Sequence, residues 1–198
     1  GVLPRFGSPS DKPFDSVREL NVGALAFARL PAARDGDFWT LSVSYFPASQ
    51  FAFPVPGAAY NWNPSDRFRA SLGVPFELWW RFAPRWEAEA KYTPITQVLG
   101  RVTHRPTDHW RLYGGFEWAN DGYFLSGRPV AHDLFFAFEK RVGGGVRWDP
   151  AGHVSFDLSA GWAFDRSYGV GRTPRNYRYD RVDVAPSGYV SGGVMWFF

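Results

Sequence analysis

Apolar and polar residues alternate with a period of two along most of the chain, the signature of strands with one greasy face. From Arg67 the even positions read Phe68, Ala70, Leu72, Val74, Phe76, Leu78, Trp80 and Phe82, against Arg67, Arg69, Ser71, Glu77, Trp79 and Arg81 on the odd ones. Trp86, Ala88, Ala90 and Tyr92 oppose Glu87, Glu89 and Lys91, and the pattern continues more weakly to about Thr103. Trp110, Leu112, Phe116 and Trp118 oppose Arg111, Tyr113 and Glu117; Leu134, Phe136 and Phe138 oppose Glu139 and Arg141; Val154, Phe156, Leu158 and Trp162 oppose Ser155, Asp157 and Ser159. No segment carries a helical period with caps. The chain is predicted to be all-β, with strands near 19–30, 38–48, 51–62, 67–82, 86–103, 109–118, 134–147, 153–164 and 186–198. A further strand in the first 18 residues makes ten. Proline lacks the ladder donor, so reading Val74-Pro75 and Thr93-Pro94 as tight turns makes twelve instead, and eight is the lower alternative.

Connections alternate in length. Asn63-Pro-Ser-Asp66, Arg105-Pro-Thr-Asp108 and Asp149-Pro-Ala-Gly152 are short Pro-initiated turns, whereas 119–132 and 165–185 are long. An antiparallel up-and-down sheet then has its short turns and C-terminus at one end and its long loops at the other. Membrane barrels have this asymmetry, with short periplasmic turns and longer extracellular loops.

Composition narrows the class. At 198 residues the chain is expected to be one domain, 1–198, and 19% of it is aromatic, including ten Trp. Trp39, Trp62, Trp86, Trp110, Trp118, Trp148, Trp162 and Trp196 fall near expected strand ends, joined by Phe198, as an interfacial girdle would be. Mean hydropathy of −0.30 and the lack of an 18-residue apolar run exclude a helical membrane protein but not a barrel, which turns only half of each strand to lipid. There is no cysteine, hence no disulfide or thiolate site. The N-terminus, Gly1-Val-Leu-Pro-Arg-Phe, is not a signal peptide and reads as a mature or trimmed start. The net charge of +3 is carried mostly by Arg, with Lys only at 12, 91 and 140.

The charged face mixes both signs. Arg67, Arg69, Arg81, Lys91, Arg111 and Arg141 accompany Glu77, Glu87, Glu89, Glu117, Glu139 and Asp157, interspersed with Gly115, Gly143, Gly145 and Gly161. A narrow barrel interior needs such neutralising pairs and small neighbours, so these twelve residues are the expected lumen network, with Arg69, Arg81 or Lys91 as partners for Glu87 and Glu89. A face open to water needs neither.

The last strand ends on an aromatic: Val190, Val194, Trp196 and Phe198 share one face, with Ser187, Ser191 and Gly193 on the other. It looks like the closing strand of a bacterial outer-membrane β-barrel, the segment read by the insertion machinery. The run Phe53-Pro-Val-Pro-Gly-Ala-Ala-Tyr-Asn-Trp-Asn-Pro-Ser-Asp-Arg-Phe-Arg-Ala-Ser-Leu-Gly-Val-Pro75, with Arg141-Val-Gly-Gly-Gly-Val-Arg147 and Gly161-Trp-Ala-Phe-Asp-Arg166, resembles a family of outer-membrane β-barrels of unassigned function. The resemblance covers most of the chain after about residue 35 and implies fold and outer-membrane location, with no catalytic or binding residues to carry over. The resemblance also implies a longer N-terminus, so one or two first strands are expected to be missing here or contributed otherwise.

Little else points to chemistry. Ser126, His132 and Asp133 are the one conceivable hydrolytic set, and adjacent side chains on a strand point apart. Metal-ligand spacing and phosphate loops are absent, so no catalytic, cofactor or metal residue is expected. The 165–185 loop interleaves Arg172, Arg175, Tyr177, Arg178, Tyr179 and Arg181, a candidate surface for lipopolysaccharide phosphates, polysaccharide or a partner protein rather than nucleic acid. The expected function is a small outer-membrane barrel with a plugged, ion-paired lumen, anchoring or interacting at the surface. Its expected partners are outer-membrane lipids, the insertion machinery and, in an assembly, another protein. A narrow solute channel is the second reading and a lipid-modifying enzyme the third.

Overall fold

A computed structural model describes residues 1–48, 51, 53–173, 176–177 and 181–197. They form one antiparallel sheet of 14 strand segments in up-and-down order: β1 (Val2–Gly7), β2 (Asn21–Pro31), β3 (Phe38–Tyr45), β4 (Val55–Ser65), β5 (Phe68–Gly73), β6 (Phe76–Ala83), β7 (Trp86–Thr93), β8 (Gln97–His104), β9 (Trp110–Tyr123), β10 (Leu134–Ala151), β11 (Val154–Thr173), β12 (Asn176–Tyr177), β13 (Val182–Val184) and β14 (Ser187–Trp196). Among the described residues the only helix is a 3-10 turn, Val17–Glu19. β12, β13 and β14 all pair with β11, so they act as one interrupted return strand.

Three sequence expectations are revised. The 67–82 and 86–103 strands are each two strands, split at the cis Val74–Pro75 bond and at 94–96, where the alternative reading puts Pro turns. β9 continues to Tyr123 and β11 to Thr173, so much of the expected 119–132 and 165–185 loops is strand. A strand does occupy the first residues. Finally, β1 and β14 are the sheet's edges and are not paired with each other among the described residues, so the sheet is not closed.

The sheet is curved enough to bring its distant parts together at one end. The segment between β1 and β2 reaches the β9–β10 hairpin: Phe124 N–H donates to Pro9 O at 2.7 Å, Ser126 N–H and Oγ–H donate to the Asp11 carboxylate at 2.6 and 2.8 Å, and Arg128 pairs with Glu19 at 2.9 Å. These bonds draw the Asp11 carboxyl below the usual carboxylate range, the Ser126 backbone contributing most. Beneath lies a small apolar cluster of Phe124, Leu134 and Phe136, joined by Ala48 and Phe138. This is the capped end; the short turns at 66–67, 105–109 and 152–153 occupy the other.

Candidate functional site

The two faces of the sheet differ as the alternation predicts. On the apolar face large side chains are exposed: Leu41, Val43, Leu72, Trp80, Val102, Leu112, Val142, Leu158 and Val190 among them. On the opposite face Glu87 and Ser155 are buried and most other members half-buried. A water-soluble sheet would reverse this, since burying apolar area is the main gain of folding.

Register organises the apolar face into rows. Trp110, Trp148 and Phe156 lie opposite one another on β9, β10 and β11 and stack with ring centroids 5.8 and 5.6 Å apart. Trp39, Trp62, Trp86 and Trp196 lie towards the same end, so six of the eight expected girdle tryptophans form one belt, 37–65% exposed. Trp118 and Trp162 do not join it, because β9 and β11 run past the strand ends expected for them. Eight residues above that row on all three strands is a second one, Trp118, Lys140 and Phe164. Eight residues span roughly 27 Å along a strand, or about 20 Å of height at the ~40° tilt of membrane barrels. At that upper edge Lys140 ion-pairs with Asp165 at 2.7 Å on the exposed surface, the first charges met above the apolar rows. Phe198 lies outside the described residues.

The charged face carries a continuous polar band. Glu89, Arg101, Gly115, Gly143, Gly161 and Tyr189 form one row across β7 to β11 and β14; Glu87, Thr103, Tyr113, Gly145, Ser159 and Ser191 form the next. The glycines make room for aromatic rings. A Cβ at Gly143 would lie 2.6 Å from Tyr189 Oη, and one at Gly145 2.5 Å from Tyr113 Oη. Arg101 covers the Tyr113 ring at 4.7 Å and Arg141 the Tyr189 ring at 5.6 Å.

Ion pairs complete the band. Glu87 pairs with Arg105 at 2.5 Å and accepts from Trp79 Nε1 at 3.2 Å; Glu89 pairs with Arg101 at 3.6 Å. Arg111 and Arg147 are directly opposed like charges, which costs stability, and each is offset by a carboxylate: Asp149 at 3.1 Å and Asp157 at 3.0 Å. Tyr113 O–H also donates to Asp157 at 2.6 Å. Glu139 bridges Arg141 and Arg166, and Glu117 accepts from Gln97 at 2.9 Å.

The expected membership therefore needs correction. Arg69 and Arg81 stack on the Trp79 ring at 4.6 and 5.1 Å instead of pairing with Glu87 or Glu89. Arg67 is exposed at the β4–β5 turn, outside the band. Glu77 and Lys91 are register partners. Arg101, Arg105, Arg147, Asp149 and Arg166 were not anticipated; Arg101 and Arg147 share the parity of the residues that were, in stretches where the apolar half of the pattern is weak.

Side chains partition the space over this face. One cavity of about 210 Å³ lies among Trp79, Glu87, Arg111 and Arg147, a second of about 130 Å³ over the glycine row, and a third of about 420 Å³ around Asn61, Arg69 and Lys91. Arg101 and Tyr113 stand between the first two, Trp79 and Glu89 between the first and third.

The remaining candidates fall at the capped end. Ser126 Oγ–H is engaged by Asp11, Asp133 is buried, and His132 lines a separate cavity. Arg172 is exposed on β11, and Arg181 pairs with Asp183 at 3.1 Å. Tyr177 belongs to β12 by its backbone, its side chain being outside the description; Arg175, Arg178 and Tyr179 lie outside the described residues. No group of three or more His, Asp or Glu able to hold a metal occurs among the described residues. No protein-family model, curated protein or solved structure matches the chain.

Proposed function

We propose that this chain is a small bacterial outer-membrane β-barrel whose interior is filled by ion pairs and stacked rings, and that it serves as an anchor or surface-interaction protein rather than a channel. The observation that carries this is the inversion of the two faces: aromatic and aliphatic side chains outward in rows about 20 Å apart in height, Arg–carboxylate pairs inward. An open sheet edge within hydrocarbon leaves unpaired backbone groups at several kcal/mol each. In the membrane β1 therefore pairs with β14, and eleven strands plus the interrupted return strand make twelve, an even number as bacterial barrels require. The resemblance of 53–75, 141–147 and 161–166 to outer-membrane barrels of unassigned function points the same way.

The plugged interior is supported by the partition of its cavities by Arg101, Tyr113, Trp79 and Glu89, and by strand number, since aqueous porin channels need about 16 strands. Planar-bilayer recording of purified protein tests it: a quiet membrane is expected, and a steady unitary conductance would establish the narrow-channel alternative instead. Solubility tests the location, because the protein should stay monodisperse only in detergent or lipid.

A further inference from the structure

At the capped end, a cavity of about 410 Å³ opens between the β1–β2 segment, the start of the β3–β4 connection and the β9–β10 hairpin. Its floor is apolar, from Phe124 and Leu134, both buried. Its rim carries two cations, Arg18 and Arg172, and the imidazole of His132, all exposed. Among the described residues no carboxylate lines it: Glu19 is buried against Arg128, and Asp133 is buried. Arg18 and Arg172 form no ion pair among the described residues, in contrast to Arg101, Arg111, Arg141 and Arg147 of the charged face. Tyr45 closes the lower rim and tops the exposed apolar stripe Trp39, Leu41, Val43 on β3.

We infer that this cavity binds the phosphorylated headgroup of an outer-leaflet lipid whose acyl chains run down the β3 stripe. The proposal rests on the outer-membrane reading above. Each part of the ligand has its counterpart. Exposed arginines supply forked donors for phosphate oxygens, Tyr45 belongs at the headgroup level, and Leu41 and Val43 meet the chains. An anionic sugar without acyl chains would use only the rim and gain nothing from the stripe. Arg128 is not a ligand here, its guanidinium being held by Glu19 and by the Leu125, Ala131 and Arg18 carbonyls.

The test is native mass spectrometry of the full chain in detergent micelles, with bis-phosphorylated lipid A, its dephosphorylated form and inorganic phosphate as probes. One bis-phosphorylated lipid should remain bound, and the dephosphorylated form should not. A basic residue near an anionic lipid surface is worth about fivefold in affinity; reversing Arg18 and Arg172 together, as Glu, should therefore weaken binding by at least roughly 25-fold. Arg34→Glu, at the opposite end, should leave it unchanged. Equal retention of both lipids, an unaffected double variant with native-like circular dichroism, or full competition by inorganic phosphate at matched concentration would each overturn the site. Monodisperse, folded protein in detergent-free buffer would instead overturn the membrane reading on which it stands.

Discussion

Arginine placed along the apolar face of β11 should cost stability according to depth, with its maximum at Ala160. Phe156 and Phe164 belong to the lower and upper rows, and Ala160 is four residues from each. Four residues cover roughly 13 Å of strand, or about 10 Å of height at 40° tilt. Ala160 is thereby placed at the middle of the band, its side chain exposed and making no ion pair. The expected cost of Ala160→Arg is about 2–4 kcal/mol, the range for arginine at a bilayer midplane, falling to about 0–1 kcal/mol near the interface. Leu158→Arg should lie between these limits and Phe156→Arg near the lower one, each corrected by the alanine variant at the same site to remove the packing loss. The measurement is reversible guanidinium unfolding in phospholipid vesicles, followed by tryptophan fluorescence. At an exposed position of a sheet in water the same substitution is worth within about 0.5 kcal/mol. A flat profile, or a maximum at residue 156, would refute the assignment of this face to lipid.

Three further outcomes follow from the packing and electrostatics. Gly143→Val should destabilise by about 1–3 kcal/mol, because the new Cβ meets the Ala160 carbonyl oxygen and the Tyr189 hydroxyl, and Tyr189→Ala in the same chain should recover only the part due to Tyr189 in the same unfolding assay. A double-mutant cycle on Arg147→Met and Asp157→Asn should give a coupling of about 1 kcal/mol, as suits a half-exposed pair; zero coupling would remove the pair from the network. Asp11 has its carboxyl drawn below 3.8 by hydrogen bonds to Ser126, so the clasp between the β1–β2 segment and the β9–β10 hairpin is fully formed above that value and lost as pH falls through the lower folded value. Amide exchange in residues 8–20, corrected for the intrinsic pH dependence, should stay constant down to about pH 4 and rise only below it, and Asp11→Asn should show the raised exchange at neutral pH.

What the sequence settled by itself is the composition of the two faces. Side chains in a strand alternate strictly, so Leu112, Phe116, Leu158 and Trp162 had to share one face and Arg111, Glu117 and Asp157 the other, whatever the partners. It could not place the hairpins at Val74-Pro75 and Thr93-Pro94. In β5–β6 the register pairs Ala70 with Leu78, and in β7–β8 Tyr92 with Val98. Even residues thus face even ones across each turn, and the alternation passes through unbroken. The ion pairs were hidden for a related reason: parity names the face but not the register. Only the ladders bring Arg101 opposite Glu89 and Arg147 opposite Asp157, and the β7–β8 ladder, which pairs Glu87 with Thr103, sets Arg105 diagonally beside Glu87. The cap is tertiary altogether, since Asp11 and Ser126 stand 115 residues apart and meet because the sheet curls.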